Sequence, residues 1–286
     1  MSKTKHIVGF SGGIDSQATA LWVRNRYPAE DVILANSDAG GNEHPLTTEW
    51  IAEYSRNVHP VVSISAIVAD LWKTEGFAES RGFDGQSRLT FQQMIHIKGR
   101  PPSRKAQFCT EILKLRPQRR WMDSVFGPGG IYEGYDYVRY SGVRRDESQT
   151  RVNTPPTHWD TFFDCELHRP LCDWTKGMCF AYVEAHGETV NPLYRLGFSR
   201  VGCAPCINSS KEDIRNWYAR APEMIDKIRT WEAETNRTFF SPVVPGMAMN
   251  SIDDVVAWAH TTRGGKEPLP VLQERPACES KYGLCA

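Results

Sequence analysis

Short apolar runs alternate with longer amphipathic stretches through the first two-thirds of the chain, the pattern of strands and helices taking turns around a parallel sheet. Lys5 to Phe10 predicts a buried strand, Ser16 to Arg26 a helix with Ala18, Leu21 and Trp22 on one side, and Val32 to Ala35 a second strand. A helix from about Pro45 to Val58 then leads to a third strand, Pro60 to Ile64. Two successive βαβ units predict an α/β fold: an open, mostly parallel twisted sheet with helices on both faces. Such sheets bind ligands outside the carboxyl ends of their strands, so chemistry is expected on the loops after Phe10, Asn36 and Ile64.

The periodicity fades between Gly76 and Arg104, where glycines and basic residues predict a substrate-facing loop region. Strand character returns at Tyr137 to Gly142, and the charged, proline-containing stretch from Arg144 to Thr157 predicts a mobile loop. Asp173 to Gly187 fits a helix, Lys211 to Asn236 one long helix or a pair broken near Pro222, and Ser251 to His260 one more. The expected organisation is a main domain over 1–210, followed over 211–286 by a helical, cysteine-bearing appendage that packs back on it.

Composition narrows the class. The chain has 34 Lys plus Arg against 34 Asp plus Glu, and this balance excludes a generally basic nucleic-acid coat. With 40% hydrophobic and 24% charged residues, a globular protein is expected and disorder is excluded as the main description. Apolar runs such as Ile7 to Phe10 fall far short of the ~20 residues a membrane span needs. The amino-terminal residues lead into a strand rather than an apolar leader, so a cytoplasmic protein with no membrane partner is expected. Eight cysteines in 286 residues, at 109, 165, 172, 179, 203, 206, 278 and 285, favour metal or redox chemistry over disulfides.

Ser11-Gly12-Gly13-Ile14-Asp15-Ser16 lies between an expected strand and an expected helix. There, backbone N–H groups and the helix dipole favour an anion, and glycines let the backbone approach phosphate oxygens. A plain strand-to-helix turn with Asp15 or Ser16 as N-cap is the alternative. The hexapeptide lacks the Gly-Lys-Ser/Thr end of a Walker A loop. It resembles the PP-loop of the adenine nucleotide alpha-hydrolase superfamily, whose members split ATP between the alpha and beta phosphates. Further segments resemble the phosphoadenosine phosphosulfate (PAPS) reductase family within it, in family order and across about three-quarters of the chain. They are Ser37 to Thr47, Phe108 to Pro117, Ser141 to Ser148 with Arg151, Pro170 to Trp174, Asn191 to Tyr194, and Arg200 to Cys206.

This resemblance implies an adenine nucleotide bound by Ser11, Gly12, Gly13, Asp15 and Ser16, with Asp38 and Gly40 from the segment after the second strand. Reductases of the family that bind a ready-made sulfonucleotide carry a degenerate loop. ATP-using relatives, including the sulfate adenylyltransferase small subunit and the DNA phosphorothioation protein DndC, keep Ser-Gly-Gly-x-Asp-Ser, as does this chain. A full loop suits a triphosphate whose pyrophosphate must be held while the alpha phosphorus is attacked, a step that usually needs Mg2+. Lys114, Arg144 and Arg145 are candidate cationic clamps and Asp15 or Asp38 candidate metal ligands, with surface ion pairing as the alternative for each.

Cys203-Ala204-Pro205-Cys206 has a spacing that lets two sulfurs reach one metal or form a redox pair. In iron-sulfur members of the family a Cys-Cys pair partners a later C-x-x-C, whereas here Cys109 is followed by Thr110. Four ligands from among Cys109, Cys203, Cys206, Cys278 and Cys285 would suit a 4Fe-4S cluster, favoured by resemblance, or zinc. Cys165, Cys172 and Cys179 are assigned to packing. The ending around Cys285 is similar to the Cys-Gly-Leu-His terminus of sulfonucleotide reductases, whose cysteine attacks sulfur, but its order is reversed and the histidine is absent.

Between Lys98 and Arg120 eight basic residues face the single acid Glu111, the pattern of a phosphate-facing surface or a solvated helix face. Three functions follow as expectations. The first is an adenylating, ATP-cleaving enzyme of sulfur transfer with a sulfur donor and a nucleic-acid or other acceptor. The second is a PAPS or APS reductase using a thiol reductant, with Cys285 as nucleophile. The third is a non-catalytic nucleotide sensor. A homo-oligomer or membership of an assembly is expected in each case.

Overall fold

The computed structural model describes residues 3–72, 76–240 and 249–262. The chain forms two compact units. The first comprises Met1–Asp38, Pro45–Ser65 and Lys114–Pro192; the second comprises Ala39–His44, Ala66–Leu113 and Leu193–Ala286.

The first unit is built on one six-stranded sheet of β1 (Thr4–Gly9), β2 (Val32–Ser37), β3 (Val61–Ile64), β4 (Asp136–Tyr140), β5 (Thr157–Asp160) and β6 (Cys165–His168). The strand order is β3-β2-β1-β4-β6-β5, parallel throughout except for β5, which runs antiparallel to β6 at the edge. Side-chain alternation along the strands supplies a core on each face. Val8, Phe10, Val32 and Leu34 point to one side, against Ala20 and Val23 of the helix Ile14–Arg24 and Trp50 and Tyr54 of the helix Pro45–Asn57. Ile7, Ala35 and Ile64 point to the other, against Met122 of the helix Arg116–Phe126. Helices therefore cover both faces, because near-continuous apolar strands must be buried on both sides.

A buried polar cluster locks the first of these layers. Arg24 donates to Glu188 at 2.6 Å and to the Tyr54 hydroxyl at 3.0 Å, and Tyr54 donates to the second Glu188 oxygen at 3.0 Å. Burial, reinforced by the Glu188 charge, raises the Tyr54 pKa, so the phenol keeps its proton as a donor.

The second unit packs the helices Phe91–Lys98, Lys211–Arg220, Pro222–Thr235 and Ile252–Ala259 around a cluster of mutually tilted aromatic rings, with Phe91 and Trp231 centroids 4.9 Å apart and Trp231 and Phe239 5.6 Å apart. The expectation of a loop region from Gly76 to Arg104 is corrected here. Phe91–Lys98 is a helix with a Thr90–Gln93 capping box and Phe91, Met94 and Ile95 buried. Pro222 begins the second of a helix pair, since it lacks an N–H and fits the first turn. Back in the first unit, the stretch expected to be a mobile loop forms two 3-10 turns, Arg145–Glu147 and Gln149–Arg151, and leads into β5. Among the described residues no helix is long and apolar enough to cross a membrane.

Candidate functional site

The order in which strands are added reverses beside β1, since β2 and β3 are laid down on one side and β4 on the other. In open α/β sheets the ligand crevice forms outside the carboxyl ends of the strands at such a switch point. Here that point is flanked by the loop after β1, Ser11 to Ser16, and the segment after β4, Ser141 to Asp146.

The loop is tightly wound. Ser16 Oγ accepts from the Ser11 N–H at 3.1 Å and from the Ser11 hydroxyl at 3.3 Å, and donates to the Gly13 carbonyl at 2.8 Å. Gly12 adopts φ of +76°, a left-handed conformation that explains glycine there. Gly13 is the N-cap of the helix Ile14–Arg24 and brings no capping side chain. This is the arrangement that binds phosphate at a helix start.

The second flank touches the first through backbone and charge. A Cβ on Gly142 would lie 2.5 Å from the Asp15 carbonyl oxygen and 3.0 Å from the Ser16 nitrogen, so only glycine lets the two segments approach this closely. Arg144 Nε donates to Asp15 Oδ1 at 2.7 Å, and Arg144 Nη1 pairs with Asp146. The Arg144 side chain is only 6% exposed. Burial alone would lower its pKa, but the hydrogen bond to Asp15 and the charges of Asp15 and Asp146 outweigh that and raise it. A fixed cation thus stands behind the loop. Beside it Cys179 is fully buried, its thiol donating to Asp15. Burial, helped by the Asp15 charge, pushes that thiol up to about 12.

Asp38 Oδ2 accepts from the Ser65 hydroxyl at 3.1 Å, and the Asp38 N–H bonds the Ile64 carbonyl, at the carboxyl ends of β2 and β3. Lys114 lies on a wide π-helical turn, Glu111–Leu115, with its carbonyl 3.4 Å from the Ser37 hydroxyl. Arg145 directs its guanidinium to the Thr154 carbonyl and to Asp173, bracing the segment rather than meeting the loop. Gly40 belongs to the second unit, where φ is +69° and a Cβ would meet the Phe91 nitrogen at 2.4 Å.

The second unit also holds Cys109, Cys203 and Cys206, all half-buried. Asn42 clamps the C-x-x-C turn by donating to the Pro205 carbonyl at 2.9 Å and accepting the Ala204 N–H at 2.8 Å. Asn208, two residues after Cys206, donates to Gln107, two residues before Cys109, at 3.4 Å. This bond links the Cys109 segment to the C-x-x-C turn. Among the described residues, however, no three His, Cys, Asp or Glu side chains assemble as a metal site, and Cys278 and Cys285 lie outside those residues. The thiols described here do not by themselves fit a cluster.

The profile of the phosphoadenosine phosphosulfate reductase domain matches residues 5–209. The chain belongs to that family. It is thereby a PP-loop enzyme of the sulfonucleotide-reductase kind, built on a mostly parallel sheet. It is 32% identical to an uncharacterized 37.8 kDa protein of Escherichia phage 186, over 99% of this chain and 97% of that protein. It is 30% identical to the adenosine 5'-phosphosulfate reductase of Allochromatium vinosum, over half of each chain. Among solved structures, the phosphoadenylyl-sulfate reductase of Candida auris aligns over 72% of this chain and 83% of its own, at 14% identity and a TM-score of 0.46.

Three contributors escaped sequence reasoning. Cys179 reads as a packing residue on its apolar helix, yet it bonds Asp15; the contact spans more than 160 residues and leaves no local signal. Gly142 reads as an ordinary strand end, although its place just before Arg144 and Arg145 was an available hint of close approach. Lys227 in the second unit donates to the Gly41 carbonyl at 3.3 Å, and burial lowers its pKa against the pull of Glu43 and Glu223. It sits on what reads as a solvated helix.

Proposed function

We propose that the chain binds ATP as its magnesium complex at the loop after β1 and catalyses attack on the alpha phosphorus with release of pyrophosphate, in the service of sulfur transfer. The observation that carries this reading is the complete Ser11-to-Ser16 loop at the helix start, backed by the buried Arg144–Asp15 pair. An acceptor oxygen forms the new bond to phosphorus as the alpha–beta bridge breaks. A sulfur nucleophile then displaces AMP from the adenylated acceptor. The loop N–H groups hold the phosphates, Ser11 and Ser16 orient them, and Lys114 offers a cation at the end of β2 as charge moves onto the leaving group. Magnesium supplies charge neutralisation between phosphates and needs only one or two protein carboxylates, for which Asp15 and Asp38 are suited. The nucleotide chemistry lies within 1–210 in this reading, and 211–286 is a helical region bearing the tail cysteines.

A 4Fe-4S cluster on Cys203, Cys206 and two of Cys109, Cys278 and Cys285, or zinc in its place, belongs to the proposal through the C-x-x-C turn and the hydrogen bond that links it to the Cys109 segment. No step above passes through it. The similarity to adenosine 5'-phosphosulfate reductases favours a second reading, in which a sulfonucleotide is reduced to sulfite with a thiol reductant and Cys285 is the attacking thiol.

The test is a substrate panel of ATP, APS and PAPS, with thioredoxin or glutathione supplied for the last two, run on the wild type, Asp15→Ala and Cys285→Ser. The first reading expects AMP and pyrophosphate from ATP, abolished in Asp15→Ala. Sulfite from APS or PAPS, lost in Cys285→Ser, would replace it with the second. ATP binding without turnover of any substrate would leave a nucleotide sensor.

A further inference from the structure

A buried polar chain crosses the other face of the first unit's sheet and ends on the backbone of Lys114. Asp160, at the end of β5, accepts Arg139 Nη1 at 3.0 Å while its second oxygen accepts the Phe162 and Phe163 N–H groups at 3.0 and 3.3 Å. Arg139 on β4 stacks on the Phe163 ring, with its guanidinium carbon 3.3 Å from the centroid, and its side chain is 13% exposed. Its Nη2 donates to Gln118 Oε1 at 3.0 Å. Gln118 Nε2 donates to Ser37 Oγ at 2.8 Å, and the Ser37 hydroxyl donates to the Lys114 carbonyl at 3.4 Å.

Every donor in this chain has one direction available. A guanidinium cannot accept, so Gln118 must turn its oxygen to Arg139 and its amide nitrogen to Ser37. Ser37 then has its single proton left for Lys114. The backbone it meets is a π-helical turn, a form found mostly as single turns and frequently at functional sites. A side-chain hydroxyl from β2 reaches one of its carbonyls, and Gln118 pins the following helix to the same serine. A buried arginine on a central strand is costly unless paired, and burial lowers the Arg139 pKa, so the pairing with Asp160 is needed to keep it in place.

We propose that Gln118, oriented by the Arg139–Asp160 pair, is a positioning residue that fixes the π-turn and so sets Lys114 at the carboxyl end of β2. The inference rests on the reading of Lys114 as a phosphate clamp.

Gln118→Met keeps the side chain's length and removes both hydrogen bonds; Ser37→Ala removes the same link from the strand side. Amide hydrogen exchange of the segment 111–116 reads positioning without any substrate. It is expected to quicken about tenfold in both variants, as a local opening made easier, while exchange in β1 and β2 is unchanged. In steady-state AMP formation, Gln118→Met is expected to lower kcat about tenfold or more with KM within about twofold, because a sub-ångström misplacement acts on the reacting geometry. Added to Lys114→Ala, the same substitution is expected to cost nothing further, since its effect passes through Lys114. Unchanged exchange in both variants, or full multiplication of the two activity losses, overturns the inference. Faster exchange with Lys114→Ala fully active instead rejects the clamp reading and leaves the pinning intact.

Discussion

Replacing Gly142 by alanine adds one methyl group where the segment after β4 meets the phosphate loop. Ordinary contact begins near 3.4 Å and the new Cβ would stand 2.5 Å from the Asp15 carbonyl oxygen, so the loop or the segment must retreat by about 0.9 Å, the difference of the two. The atoms in the way are backbone and cannot swing aside as a side chain would. Overpacking of this kind costs about 1–3 kcal/mol, and a displacement near 1 Å in a site that works by alignment costs about 100-fold in rate. These two effects separate cleanly. Even the largest stability loss taken from the low end of ordinary stabilities, about 5 kcal/mol, leaves about 2 kcal/mol and well over 90% of the protein folded. Unfolding therefore cannot account for a 100-fold loss. The assay is AMP formation at 25 °C beside a thermal melt, with Gly177→Ala as the matched control. Gly177 lies near the exposed start of the helix Lys176–Ala185, where an added Cβ would make ordinary contact with the Thr175 hydroxyl at 3.8 Å. That control should hold or slightly raise the melting temperature and leave the rate alone. Wild-type AMP formation by Gly142→Ala would refute the assignment of the loop as the reacting site.

Glu188→Gln, which leaves Arg24 half-buried without its carboxylate, should cost about 3 kcal/mol in urea unfolding, with the product pattern of the enzyme unchanged. The Cys179 thiol titrates near 12 when folded and near 9.0 ordinarily, so its contribution is complete below pH 9 and is lost as pH rises from 9 toward 12. Urea unfolding should accordingly weaken between pH 9 and 11 by up to about 1.4 kcal/mol per pH unit, and Cys179→Ala should flatten that slope. Anaerobic purification should yield brown protein with about four irons per chain, bleached in Cys203→Ala and kept in Cys165→Ala; stoichiometric zinc without iron would make the site structural.

The strands and the loop were legible because their signals are local. Ile7 to Phe10 is an apolar run bounded by Ser11-Gly12-Gly13, and burial on both faces of β1 follows from its lack of alternation. The helix Phe91–Lys98 was missed because it is short, and its three buried positions, 91, 94 and 95, are too few to stand out beside flanking glycines and cations. The β5–β6 pair was missed for a related reason: each strand has four residues, and only the pairing itself, across the turn after Asp160, makes them strands. Within the candidate site, Arg144 and Asp15 were legible as residue types, whereas their salt bridge spans 129 positions. Arg145, their neighbour in sequence, reads identically and faces another way. Which of two adjacent arginines serves the loop is decided by the backbone direction after Gly142, and no spacing rule carries that information.

The central claim is that this loop presents a nucleotide for cleavage between its alpha and beta phosphates. Phosphorus NMR of ATP and magnesium incubated with anaerobically prepared wild-type protein tests it most directly, because each bond that can break leaves a different pair of signals. The account predicts AMP and pyrophosphate appearing together in equal amounts, with neither formed by Asp15→Ala. ADP and inorganic phosphate as the products, or ATP left intact while APS or PAPS is turned over, would contradict it.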